Sequence, residues 1–263
     1  MCGSEDVETG ESNVKTQTWW AKTVLGSGPL GVVLLPVGAL GSRIGVWPFT
    51  FGFLLVALGV VLSLVALLVG GVGLALAVRR GRKTDYPALT IGVVLGLLVI
   101  AGIGSQVGAA TSVPPIHNIS TDFENPPEFQ AIVTLRSGAN PHTYDPAQSI
   151  GDAGMLGELQ RASYPDVETL RSTVGVVAGV ERAATILEGM GLELVDVDPA
   201  RGTVEATATT FWFGFKDDLV VRVQEQEGVT LIDLHSVSRV GQSDLGANAS
   251  RIIAFLERFA AEG

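Results

Sequence analysis

The chain has 263 residues and a formal net charge of −10, a length that suits one or two domains. The charge is unevenly spread: residues 1–111 carry seven Lys/Arg and five Asp/Glu, whereas residues 112–263 carry ten against twenty-two, a net of −12. Such an acidic second half repels phosphate backbones and anionic headgroups, so no nucleic-acid partner is expected. A single cysteine, Cys2, leaves no intramolecular disulfide and no cysteine-built zinc site.

Residues 1–18 read as a disordered acidic tail. They contain no apolar segment of signal-peptide type, and only Met1 precedes Cys2, so neither cleavage nor lipoprotein attachment is expected. A membrane region is expected over residues 19–112, with spans at about 23–42, 51–78 and 87–111. Val46 to Val78 is free of charge and rich in Leu, Val, Gly and Phe, longer than the roughly 20 residues a bilayer core requires. Tyr86 to Ser112 is a second such run. Residues 23–42 are interrupted by Pro29, Pro36 and glycines, so the sequence supports two or three spans.

Between the secure spans lies RRGRK, Arg79 to Lys83, with four of the seven positive charges of this half. The positive-inside rule makes that loop cytoplasmic and puts the acidic half across the membrane. The expected location is therefore the inner (cytoplasmic) membrane, multi-pass, with an extracytoplasmic, periplasmic C-terminal domain and lipid as partner of the helices. Gly92/Gly96 and Gly104/Gly108 have GxxxG spacing, which suits packing within the bundle or a homo-oligomer, although glycine is also common in membrane helices. The secure spans hold no ionisable residue, which argues against a transporter or proton relay.

Residues 113–130, bracketed by prolines, are expected as a linker, followed by an α+β domain over 131–263. Its elements are a strand at 131–135, a loop over 137–163, and a helix from Val167 to Leu187 with Asp166 as N-cap and Gly189 as stop. Four strands follow at 192–198, 203–210, 219–225 and 229–240, then a helix from Ser243 to Ala261 with Ser243 and Asp244 capping it. The order β-α-β-β-β-β-α predicts an antiparallel sheet with two helices on one face.

Strand alternation puts Ser236 and Ser238 on one face, and Asp233, His235 and Arg239 on the other with Arg222. A Ser–His pair on opposite faces cannot act as nucleophile and base. Arg222, His235 and Arg239, with Asp217 and Asp218, are the candidate ligand-binding residues, set against a solvated, salt-bridged sheet face. Adjacent carboxylates such as Asp217 and Asp218 point apart in a strand. His117 and Asp122 have no metal-ligand spacing to partners, and no metal or cofactor is expected. The aromatics Phe211, Trp212 and Phe213 suit core packing on at least one face, or contact with a membrane surface.

The segments PPIHNISTDFENPPEF, Tyr164-Pro165-Asp166, FWFGFKDDLVVRV and SVSRVGQSDLGANASRI together resemble the family known as domain of unknown function 1499, over about residues 113–259. Members often carry membrane helices ahead of the domain. The resemblance implies an arginine just before SVSR, where this chain has His235, so a role tied to arginine there does not transfer. It brings no assigned activity. The expected function is a membrane-anchored, envelope-associated accessory module binding a protein or a small polar ligand. The alternative is an envelope hydrolase using Asp217, Asp218, His235 and Arg239.

Overall fold

A computed structural model of the chain describes residues 16–261; the acidic tail expected over 1–18 lies outside them up to residue 15. The chain forms two units, divided after Gly104.

The first unit is built from α1 (Trp19–Arg43), α2 (Phe49–Arg79) and α3 (Tyr86–Thr111), the last running on past the division. These are three helices long and apolar enough to cross a membrane. Even the shortest, α1 with 25 residues, extends about 37 Å against a hydrocarbon core of about 30 Å. It is continuous through Pro29 and Pro36, so the third span suggested by the sequence exists as a helix. Small residues bring the helices together: a Cβ on Gly31 would lie 2.8 Å from the Gly59 carbonyl oxygen. One on Gly92 would lie 2.1 Å from Val24, and one on Gly96 would lie 2.6 Å from the Ser63 carbonyl oxygen. The first GxxxG pair thus serves packing within the bundle, whereas Gly104 and Gly108 have open space around them. At one end Asp85, fully buried, accepts hydrogen bonds from the Thr18 backbone N–H and hydroxyl and from Arg82. The start of α1 is thereby held beside the basic α2–α3 loop.

The second unit is an antiparallel sheet with helices. Its elements are β1 (Asn118–Ser120), α4 (Leu156–Ser163), β2 (Leu170–Ser172), α5 (Val176–Gly189), β3 (Glu193–Asp198), β4 (Thr203–Thr209), β5 (Lys216–Gln226), β6 (Val229–Ser238) and α6 (Ala247–Ala261). The strand order is β1-β6-β5-β4-β3, and β2 also pairs with β6, so β1 and β2 share one edge of that strand. Helices α5 and α6 cover one face. Val180, Ala183 and Leu187 of α5 and Ile252, Phe255 and Phe259 of α6 pack on Val204, Ala206, Leu219, Val221, Ile232 and Leu234. The other face is covered by chain from the 121–140 region, where Phe129 and Ile132 pack on Val220 and Val237.

Five local expectations are corrected. Residues 132–135 form a 3₁₀ turn in place of a strand, because the Glu205 carboxylate gathers the backbone N–H groups of Gln130, Ala131 and Ile132. A strand, β1, sits inside the expected linker and is fixed by pairing with β6. The helix expected from Val167 begins at Val176, with Gly175 as its N-cap, so Asp166 lies in a turn and caps nothing. The intervening Leu170–Ser172 instead takes the free edge of β6, which suits its apolar and β-favouring neighbours. The last helix begins at Ala247, with Ser243 and Asp244 in the turn before it. There Asp244 accepts from the Gly246 and Asn248 N–H groups, and Ser243 from Leu245. Helix α4, within the expected loop, seats the buried Gln160, which clamps both backbone groups of Ser120 and so docks β1.

Candidate functional site

Register across β4, β5 and β6 builds the face away from the helices. Thr207, Asp218 and Val237 form one row; Glu205, Val220 and His235 a second; Thr203, Arg222 and Asp233 a third. Asp218 is fully buried. Arg239 grips it with both Nε and Nη2 at 2.8 Å. Arg136 donates to the same carboxylate, and the Thr207 hydroxyl donates at 2.8 Å. Asp233, 1% exposed, accepts from Arg222 at 2.9 Å and from the hydroxyls of Thr121 and Thr169. Arg222 in turn reaches Asp122 at 3.0 Å.

This is an ion-pair network, but a buried one, which corrects the expected solvated face. Removing charges from water is costly unless each is paired and fully hydrogen-bonded. Glu205 meets that demand without an arginine, through its three backbone N–H donors. Glu205→Ala should therefore lower unfolding stability by roughly 2–3 kcal/mol by orphaning those donors. Glu205→Gln, which keeps one acceptor, should lose less; the urea midpoints of the two variants against wild type provide the check.

His235 is 1% exposed. Its Nδ1 lies 2.8 Å from the Pro127 carbonyl and its Nε2 2.7 Å from the Asn118 side-chain oxygen. The rings of Phe129 and Tyr144 stand 4.9 and 6.0 Å away. Burial pulls its pKa down to about 4; the Pro127 carbonyl opposes the shift, while His142 and Arg136 add to it. Burial thus favours the neutral imidazole, and the ring is closed off from any reactant.

The helix side carries a second polar cluster. Asp217 accepts from Arg251 at 3.0 Å. Arg251 also donates to Asn248, whose amide nitrogen reaches Ser238 and the His117 carbonyl and whose oxygen accepts from Ser236. These residues tie β6, the turn and α6 together. Burial pushes the Asp244 carboxyl up, against its backbone N–H bonds, and pulls the His117 imidazole down.

The structure thus separates what the sequence grouped. Asp217 and Asp218 occupy opposite faces, each already ion-paired, while Arg222, His235 and Arg239 share the face away from the helices, the two arginines within ion pairs and His235 bonded apart from them to Pro127 and Asn118. Arg136 completes the pairing of Asp218 and Glu205 lies buried on the same face; neither was singled out by the sequence. Two shallow grooves open elsewhere. One, of about 450 Å³, is lined by Asp122, Phe123, Glu124, Arg161, Tyr164 and Glu168 among others. Its neighbour, of about 370 Å³, shares Asp122 and Glu124 and adds Gln224 and Glu225. Neither is lined by Asp217, Asp218, His235 or Arg239. In the first, the Arg161 guanidinium lies 4.4 Å from the centre of the Phe123 ring.

A family model described as protein of unknown function (DUF1499) matches residues 118–259, more than half of the chain. The chain belongs to this family. The DUF1499 match begins at the first residue of β1 and ends in the last turn of α6, so it takes in every strand of the sheet. The segments that carried the resemblance map onto the cohesion of that DUF1499 fold: SVSRVGQSDLGANASRI supplies the Ser236–Asn248–Arg251 cluster, and FWFGFKDDLVVRV supplies Asp217, Asp218 and Arg222. No curated protein matches the chain.

Proposed function

We propose that this DUF1499 protein is a membrane-anchored accessory module. It presents its acidic domain on the extracytoplasmic side of a bacterial cytoplasmic membrane and binds an envelope protein or a small polar ligand. One observation carries the reading: the side chains suited to chemistry are consumed in buried pairs, Asp218 by Arg136 and Arg239, Asp217 by Arg251, Asp233 by Arg222. A hydrolase needs a base within reach of its nucleophile and of substrate, and His235 is enclosed on the face opposite Asp217. The grooves beside Asp122, with carboxylates next to the Arg161–Phe123 stack, suit a polar ligand of mixed charge.

The membrane side is supported by the charge pattern. Arg79, Arg80, Arg82 and Lys83 crowd the α2–α3 loop, and the bonds of Asp85 to Thr18 hold the start of α1 at the same end. The positive-inside rule assigns that end to the cytoplasm. A reporter enzyme that matures only outside the cytoplasm, fused after Gly263, should be active. Activity only of a cytoplasmic reporter would reverse the orientation.

A further inference from the structure

Sheet register defines which end of the domain receives the membrane tether. Asn118, the first residue of β1, stands level with Val237 of β6, and Val237 with Asp218 of β5. The Ser238 N–H donates to the His117 carbonyl at 3.0 Å. Two residues before Asp218 is Lys216, which pairs with Thr209 at the base of the β4–β5 hairpin. The chain arriving from α3 therefore joins the sheet at the end where this hairpin turns. Between Thr111 and Asn118 lie only six residues, 112–117, a reach of at most about 20 Å even when fully extended.

That same end is unusually apolar. Phe211 is 67% exposed, Trp212 55% and Leu245 52%. Phe211 and Trp212 stand edge to face at 5.2 Å, and Phe213 stacks on Phe215 at 5.3 Å behind them. The hairpin loop Thr209 to Lys216, TTFWFGFK, contains no carboxylate and one lysine, although the half of the chain that holds it is strongly acidic. Leu245, in the turn after β6, is held at φ 57°, a left-handed conformation that is costly for a residue of its bulk. Exposed aromatic clusters mark interaction surfaces, and Trp and Phe favour the boundary between headgroups and acyl chains.

We propose that the β4–β5 hairpin tip, through Phe211 and Trp212, inserts into the headgroup–acyl boundary of the membrane that carries the chain's own helices, with Leu245 exposed at the same end of the sheet. The partner is the uncharged part of the lipid interface, since anionic headgroups repel the acidic body around the tip. The contact holds the hairpin tip at the lipid boundary. It rests on the chain being membrane-anchored and is independent of which side the domain occupies.

The test uses the full chain in phosphatidylcholine vesicles, compared with its Trp212→Phe variant. Subtracting the two emission spectra isolates Trp212 from Trp19, Trp20 and Trp47. The expected difference spectrum is blue-shifted and loses about half its intensity when the lipids are brominated on their acyl chains near the headgroup, the depth at which interfacial tryptophans sit. A water-like spectrum that bromolipids leave unquenched overturns the proposal. So does a blue-shifted one that they leave unquenched, the signature of tips packing between two copies. If the three remaining tryptophans of the variant are also unquenched, the proposal falls through its premise, and the anchor reading with it. Equal thermal melts of the two proteins show that the fold is unchanged.

Discussion

Asp218→Asn is expected to destabilise the domain by about 3–5 kcal/mol, the usual cost of breaking a buried ion pair from one side. The carboxylate is the common acceptor of Arg136, Arg239 and Thr207, and the Arg136 side chain is only 3% exposed. An amide offers one oxygen and no charge, which leaves the buried Arg136 guanidinium facing that of the partly exposed Arg239 with no anion between them. At roughly 2–4 °C per kcal/mol for a unit of this size, the melting temperature should fall by several degrees to well over ten. Thermal melts of the purified chain by near-ultraviolet circular dichroism provide the measurement. An unchanged melt would show that Asp218 is held for some purpose other than cohesion and would return it to the list of ligand-binding candidates. The same experiment bears on the hydrolase alternative, because a catalytic carboxylate can be replaced with little loss of stability and total loss of turnover.

The second large effect is a loss of stability on acidification through His235. Its folded pKa is about 4, below the value near 6.5 of an unfolded histidine. Between these values the unfolded chain binds more protons than the folded one, so stability falls as the pH drops. The contribution is fully present above pH 6.5, and about 3 kcal/mol is lost by pH 4. The geometry makes the sign worth measuring, since both ring nitrogens face oxygen atoms and a neutral ring has only one N–H to donate. A charged ring could donate to both, and then the sign would reverse, with stability lost as pH rises. Nitrogen-15 labelling of histidine and an NMR titration of the intact chain separate the two cases. A neutral His235 down to pH 5 supports the burial argument, and a protonated one at pH 6 refutes it.

How far the sequence discloses this architecture depends on the range of the interactions involved. The β3–β6 meander and α6 are legible because alternation, turn residues and helical spacing are local signals. Alternation also sorts His235 and Ser236 onto opposite faces, as the strand register has them. β1 is not legible: three residues, Asn-Ile-Ser, become a strand only because β6 lies alongside them. The 3₁₀ turn at 132–135 looks like a strand until Glu205, more than seventy residues away in sequence, collects its N–H groups. The covered second face left one signal that was open to reading. Val220 and Val237 lie on the same face as Asp218 and His235, and apolar residues on both sides of a strand point to cover on both sides. Arg136 had no comparable signature, since its role depends entirely on where the 121–140 chain crosses the sheet.

The pairing of β1 with β6 also sets an order of events during synthesis. Asn118 is made soon after the last of the three long apolar helices, yet its partner Val237 emerges more than a hundred residues later. Such distant pairings are slow to form because a long loop must first be closed. The sheet edge beside the tether therefore stays unmatched until nearly the whole domain has left the ribosome. A chain cut short before β6 would leave its first strand without a place to go. Completion of the fold is in this way a check on the completeness of the polypeptide.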